Sequence, residues 1–97
     1  MADKALKEVL CIPGKRRNYA VEFPYVEEIC KDVMISLMPC LPEHFAGLCN
    51  YKGSIVPVVC QEGPAPGREE ADARQMVLVL RHQKYYLGIL LYQEPYL

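Results

Sequence analysis

The sequence predicts a mainly all-β protein, and three observations carry that reading. Apolar residues recur with a period of two rather than 3.6 along most of the chain. The alternating segments are short and are separated by proline–glycine pairs or small charged turns. The 97 residues leave room for one modest core, which short paired strands can fill.

Leu6 to Ile12 reads as the first strand, ended by Pro13-Gly14. After the cationic turn Gly14-Lys15-Arg16-Arg17-Asn18, the stretch Tyr19 to Phe23 places Tyr19, Val21 and Phe23 on one face, so the two segments form a hairpin. Pro24 has no N–H to give to a ladder and interrupts it. Tyr25 to Cys30 fits either one short helical turn or a bulged continuation of the strand. Asp32 to Met38 alternates again, with Val33, Ile35 and Leu37 opposing Met34, Ser36 and Met38. Pro39 and Pro42 forbid a strand next, and Pro42 can open a one-turn helix that Gly47 ends. Ala46 to Tyr51 and Ser54 to Cys60 then flank a Lys52-Gly53 turn, where the glycine takes the positive φ such a turn requires. Pro57 demotes its part of the second arm to an edge or a bulge.

Gln61 to Gln75 breaks the composition with Gly63-Pro64-Ala65-Pro66-Gly67 followed by Arg68-Glu69-Glu70. It has no apolar period and reads as an exposed loop, with room for a helical turn over Glu69 to Arg74. Met76 to Leu80 and Tyr85 to Tyr92 are apolar runs joined by a tight turn at His82-Gln83-Lys84. They form a last hairpin, buried on both faces.

Composition narrows the function. Hydrophobic residues are 52% and charged residues 24%, an ordinary globular balance. Eleven basic against twelve acidic side chains give a net charge of −1, so there is no surplus to neutralise phosphates and nucleic acid is not expected as a partner. No apolar run has the length of a membrane span and the N-terminus lacks a signal-peptide core, so a cytoplasmic protein without direct membrane insertion is expected. The five cysteines, at positions 11, 30, 40, 49 and 60, contain no Cys-x-x-Cys pair and read as reduced, structural thiols.

The chemistry the residues offer is thin. The nearest approach to a metal or thiol site is Cys40, His44 and Cys49, with Cys60 further on. Only Cys40 to His44 is a short spacing, whereas structural zinc needs four converging ligands, and a nucleophilic thiol needs a nearby cation or helix end. This small thiol- or zinc-dependent site is the alternative reading. Glu27 and Glu28 are adjacent in sequence and, on a regular strand, point to opposite faces, so they are not expected to act together. No glycine-rich loop precedes a helix. An enzyme is not expected, nor a metal or other cofactor.

The segment from Tyr19 to Val59 is more specific. Tyr19-Ala20-Val21, Val26, Glu28-Ile29, Met38-Pro39, Pro42 and then Gly47-Leu48-x-Asn50-Tyr51-Lys52-Gly53-Ser54-Ile55-Val56-Pro57-Val58-Val59 resemble the CheW family of bacterial chemotaxis coupling proteins. The sharpest part is Gly47 to Val59, similar to the family segment Gly-Val-x-Asn-Leu-Arg-Gly-x-Ile-x-Pro-Val. Gly88-Ile89-Leu90-Leu91 resembles the glycine–aliphatic run of its later hairpin. The chain departs from the pattern at Lys52, where the family has Arg, at Cys60-Gln61 in place of Asp-Leu, and at Tyr92 in place of Asp.

The resemblance implies a CheW-like fold of SH3-like β-barrels, with a short helical turn. In this chain 6–60 would supply first-barrel strands, 61–75 the exposed loop, and 76–97 the hairpin of an incomplete second barrel, all within one domain spanning 1–97. It implies a non-catalytic adaptor that couples the cytoplasmic tip of a chemoreceptor to the chemotaxis histidine kinase and is recruited from the cytoplasm to membrane receptor arrays. Carried over residue by residue, receptor binding falls to Val26, Glu28, Gly47 and Lys52, while Asn50, Gly53 and Pro57 belong to the turn and its strand. With its covering strands missing, Tyr85 to Leu91 would present an unpaired edge, through which a homo-oligomer is expected.

Overall fold

The computed structural model describes residues 8–36, 42–62 and 75–97. These form seven strands: β1 (Val9–Pro13), β2 (Asn18–Glu22), β3 (Val26–Val33), β4 (Phe45–Tyr51), β5 (Ser54–Val59), β6 (Gln75–His82) and β7 (Tyr85–Leu91). A 3-10 turn, Phe23–Tyr25, lies between β2 and β3 and carries Pro24, whose fixed φ suits such a turn. The all-β expectation holds.

β1 and β2 form a two-stranded antiparallel sheet, and the other five strands form one sheet in the order β3-β6-β7-β5-β4. All neighbours are antiparallel except β5 and β7, which run parallel at Val58–Gly88 and Val59–Ile89. That ladder begins after Pro57, so the residue without an N–H stands where β5 has no partner on the β7 side.

The five-stranded sheet curls until the segment beyond its edge strand β3 meets the other edge strand, β4. Beyond β3 the chain reaches Ser36, which exchanges two backbone hydrogen bonds with Leu48 of β4, at 2.7 and 2.9 Å. Gly47 permits this closure: it has φ +148°, and a Cβ there would strike the carbonyl oxygen of Ser36 and lie 2.8 Å from Ile35 Cγ2.

Two apolar clusters lie on opposite faces of β6 and β7. Val77 and Val79 of β6 and Leu90 of β7 pack with Val56, Val58, Cys49 and Tyr51 inside the curled sheet. Leu78, Ile89 and Leu91 turn the other way, onto Leu10 and Ile12 of β1. The period-two alternation thus feeds both clusters from each strand. The tail adds to the outer layer, since Tyr96 exchanges two backbone hydrogen bonds with Cys11 of β1. At the β1–β2 turn, Arg16 and Arg17 backbone N–H groups donate to the Glu62 carboxylate at 2.8 and 3.3 Å, which ties the exit of β5 to this layer.

Several expectations need correction. The 76–97 hairpin does not present the expected unpaired edge. It lies at the centre of the five-stranded sheet, between β3 and β5, and Gly88 to Leu91 are buried. The reason is its two apolar faces, which require cover on both sides; the β1–β2 hairpin supplies the outer cover. Of the residues expected to be left wet, only Tyr85 and Leu87 are exposed. Of the strand expected over Asp32 to Met38, Asp32 and Val33 fall at the end of β3, Ser36 makes an isolated bridge, and Leu37 and Met38 lie outside the described residues. The ordered ladder is Val26–Val33, bulged on β6 between Val26 and Glu28 and again between Cys30 and Val33, with Asp32 at φ 58°. Pro42 opens a hydrogen-bonded turn, Phe45 N–H to Pro42 O at 2.9 Å, rather than a helical one. The loop interior at 63–74 and the helical turn expected at its end lie outside the described residues.

Candidate functional site

The β4–β5 turn presents the most developed cluster of polar side chains. Lys52 (φ 48°) and Gly53 (φ 85°) both take positive φ, as a two-residue mirror-image hairpin turn requires. Nothing lies within 4 Å of the place a Cβ would occupy at Gly53, so the glycine is there for its backbone alone. Asn50 Oδ1 accepts the Gly53 N–H at 3.2 Å and braces the turn.

This turn carries Lys52 to β3. Its Nζ lies 3.9 Å from Glu28 Oε1, and both side chains are well exposed. The same ammonium sits 5.3 Å from the centre of the Tyr51 ring. Tyr51 itself is buried, edge-on to Tyr86 with ring centroids 5.5 Å apart. Its hydroxyl reaches across the seam between the edge strands, 2.8 Å from Glu28 Oε1 and 3.1 Å from Glu27 Oε2. Burial, together with these two acceptor carboxylates, pushes Tyr51 above the ordinary tyrosine range, so the phenol is a neutral donor.

Glu27 and Glu28 therefore act together, contrary to the expectation from strict alternation. The β3 bulge between Val26 and Glu28 breaks the period of two and brings both carboxylates to one hydroxyl. Tyr51 and Glu27 are functional candidates that the residue-by-residue reading missed. The signal for Tyr51 was its tyrosine in the place of the leucine of the family segment; for Glu27, whose partner is 24 residues away, there was none.

The other expected site residues are placed differently. Val26 is half-buried, pairs with Leu80 and packs in the outer cluster, whereas Glu28 reaches the Tyr51 side. Gly47 is buried at the closure of the sheet, at the end of β4 away from the turn. Pro57 pairs with Leu48. The structure thus joins Glu28 to Lys52, supports the turn with Asn50 and Gly53, and gives Gly47 a packing role.

For the alternative reading, Cys40 lies outside the described residues. Among those described, no three or more His, Cys, Asp and Glu side chains group to hold a metal. His44 is exposed, while Cys49 is buried in β4. Burial pushes the thiols of Cys30, Cys49 and Cys60 upward, the opposite of nucleophile activation. A separate apolar groove of about 290 Å³ opens beside the β6–β7 turn, lined by Val21, Tyr25, Leu80, Tyr85 and Leu87 among others. No helix among the described residues is long and apolar enough to cross a membrane.

A curled five-stranded sheet with a layered two-stranded one, closed at a glycine and presenting an Asn-x-Lys-Gly turn, defines the class of this domain. The chain belongs to the CheW-like domain family, which matches residues 8–93. Among solved structures it is similar to the scaffolding protein TtCheW from Thermoanaerobacter tengcongensis, with a TM-score of 0.71 and 21% sequence identity over 93% of this chain. The chain spans 64% of the length of that protein. No curated protein shows a sequence match.

Proposed function

We propose that the chain is a non-catalytic chemotaxis adaptor that couples a chemoreceptor's cytoplasmic tip to the chemotaxis histidine kinase, acting in the cytoplasm at membrane receptor arrays. The observation that carries this reading is the Glu28–Lys52 pair, displayed on the surface at the family's most specific segment and braced from beneath by Tyr51. A receptor tip is a pair of packed helices, and an exposed ion pair beside such a surface acts as a polar rim that steers encounter and sets orientation. Self-association through β7 is not part of the reading, because β7 is paired on both sides at Gly88 and Ile89. A second copy would instead meet the outer edge of β2, which has one partner strand among the described residues.

The test is a calorimetric titration of a receptor-tip fragment with wild type, Glu28→Lys and Lys52→Glu. Each single reversal weakens binding, and the double reversal recovers part of the loss. Equal affinity for all four proteins would remove the pair from the interface. Substitution of Gly47 is kept out of this test, because a side chain there meets Ser36 and Ile35 and disturbs the closure of the sheet.

A further inference from the structure

We infer that Tyr51 is a positioning residue of the Glu28–Lys52 site, one that holds both members of the pair at once and makes lysine serviceable where the family segment has arginine. The functional consequence rests on the receptor-facing reading above.

An ammonium 3.9 Å from a carboxylate, both largely in water, is a poorly fixed pair: each long side chain keeps its rotamer freedom, and water competes for the contact. An arginine there would present two parallel N–H donors and fix the carboxylate by itself, which a lysine point charge cannot do. Tyr51 supplies what is missing. Its hydroxyl stands 2.8 Å from the Glu28 oxygen that faces Lys52. Its ring carries the Lys52 ammonium at 5.3 Å, near enough for the quadrupole to hold the cation. The acid is gripped by the hydroxyl and the base by the ring of one side chain.

That side chain is itself fixed. It is buried, has two χ angles, and packs edge-on against Tyr86. Glu27, 3.1 Å away on the other side of the hydroxyl, gives the single phenolic proton a second acceptor and keeps it pointed at β3. A leucine at this position, as in the family segment, offers neither hydroxyl nor ring.

Two measurements test this. In titrations with a receptor-tip fragment, Tyr51→Phe, which keeps the ring and its packing, weakens binding by about three- to tenfold, the range of one lost hydrogen bond. Adding Lys52→Arg to Tyr51→Phe restores affinity to within about twofold of wild type, since the fork holds Glu28 alone. Loss without recovery by arginine, or no loss in Tyr51→Phe, overturns the proposal. The second measurement needs no partner. With ring-labelled tyrosine followed by NMR, Tyr51 stays protonated above the pH of about 10 at which a free tyrosine ionises, and Glu28→Gln lowers its midpoint. A midpoint like that of a free tyrosine, unmoved by Glu28→Gln, means that the clamp does not exist. If the titration behaves as expected while wild type ignores the receptor fragment, the clamp stands and the receptor reading falls.

Discussion

The two hairpins of the five-stranded sheet have similar turns and opposite duties. β6–β7 turns through Gln83 and Lys84 at the surface, but its strands run through the middle of the molecule, with Val77 and Leu78 fully buried on opposite faces. β4–β5 buries one face along its length and opens at its tip, where Ile55 is 66% exposed and Lys52 and Gly53 stand in solvent. The first hairpin holds two layers together, and the polar side chains at its turn bond locally, as Arg81 Nε does to the Gln83 carbonyl. The second is anchored by its buried half and free at its end, which is where a partner can reach charged side chains. A site can sit on a tight turn without losing definition when a buried residue such as Tyr51 braces it from below.

Substitutions in the two hairpins separate these duties. The largest effect belongs to Leu78→Ala, which empties a fully buried position between the layers and costs about 2–5 kcal/mol in urea denaturation. Ile55→Ala at the exposed tip changes stability by less than about 0.5 kcal/mol. Comparable values for the two would erase the contrast. Next come the glycines. Gly88→Ala places a methyl 2.9 Å from Val77 Cγ1 and 3.1 Å from Val58 Cγ2, and costs about 1–3 kcal/mol by crowding. Gly53→Ala meets no atoms and costs about 1 kcal/mol through its backbone alone. Pairing Gly88→Ala with Val77→Ala recovers part of the loss, whereas no neighbouring truncation helps Gly53→Ala.

The smallest effects are electrostatic. Lys52→Glu leaves the melting temperature within a few degrees and weakens receptor-fragment binding in a salt-dependent way, so a loss that persists unchanged at high salt would argue against a rim role. At alkaline pH the raised Tyr51 has a definite sign. Unfolded, its phenol ionises near pH 10; folded, it keeps its proton longer. The folded state then binds more protons than the unfolded one, so this contribution to stability is complete below pH about 10 and is lost as pH rises beyond it. Tyr51→Phe removes that part of the alkaline decline, and identical pH profiles for the two proteins would refute the assignment.

Local pattern was enough to place most strands. The alternation in β2 and β4, the Lys52-Gly53 turn and the tight turn near Gln83 are each set by neighbours in the chain, through pleat period and backbone sterics, and all stand in the structure. The family could be read from the Gly47 to Val59 segment for the same reason, since it is one continuous hairpin. Half of the site was legible with it: the turn by local chemistry, Lys52 and Glu28 by resemblance.

What pairs with what across the fold was not legible. The apolar faces of Met76 to Leu91 announced that cover was needed, but not that β1 and β2, some sixty residues earlier, would provide it. The β3 bulge, the meeting of Ser36 with Leu48, and the arrival of Glu27 and Glu28 at one phenol depend on how far the sheet curls. Curl is a property of five strands packed together, set by twist and by the volume of the enclosed side chains, and no window of sequence contains it. The sequence by itself determined the strands, the turns and the family; the closed sheet decided which charged side chains meet, because only closure brings its first and last strands within reach of one hydroxyl.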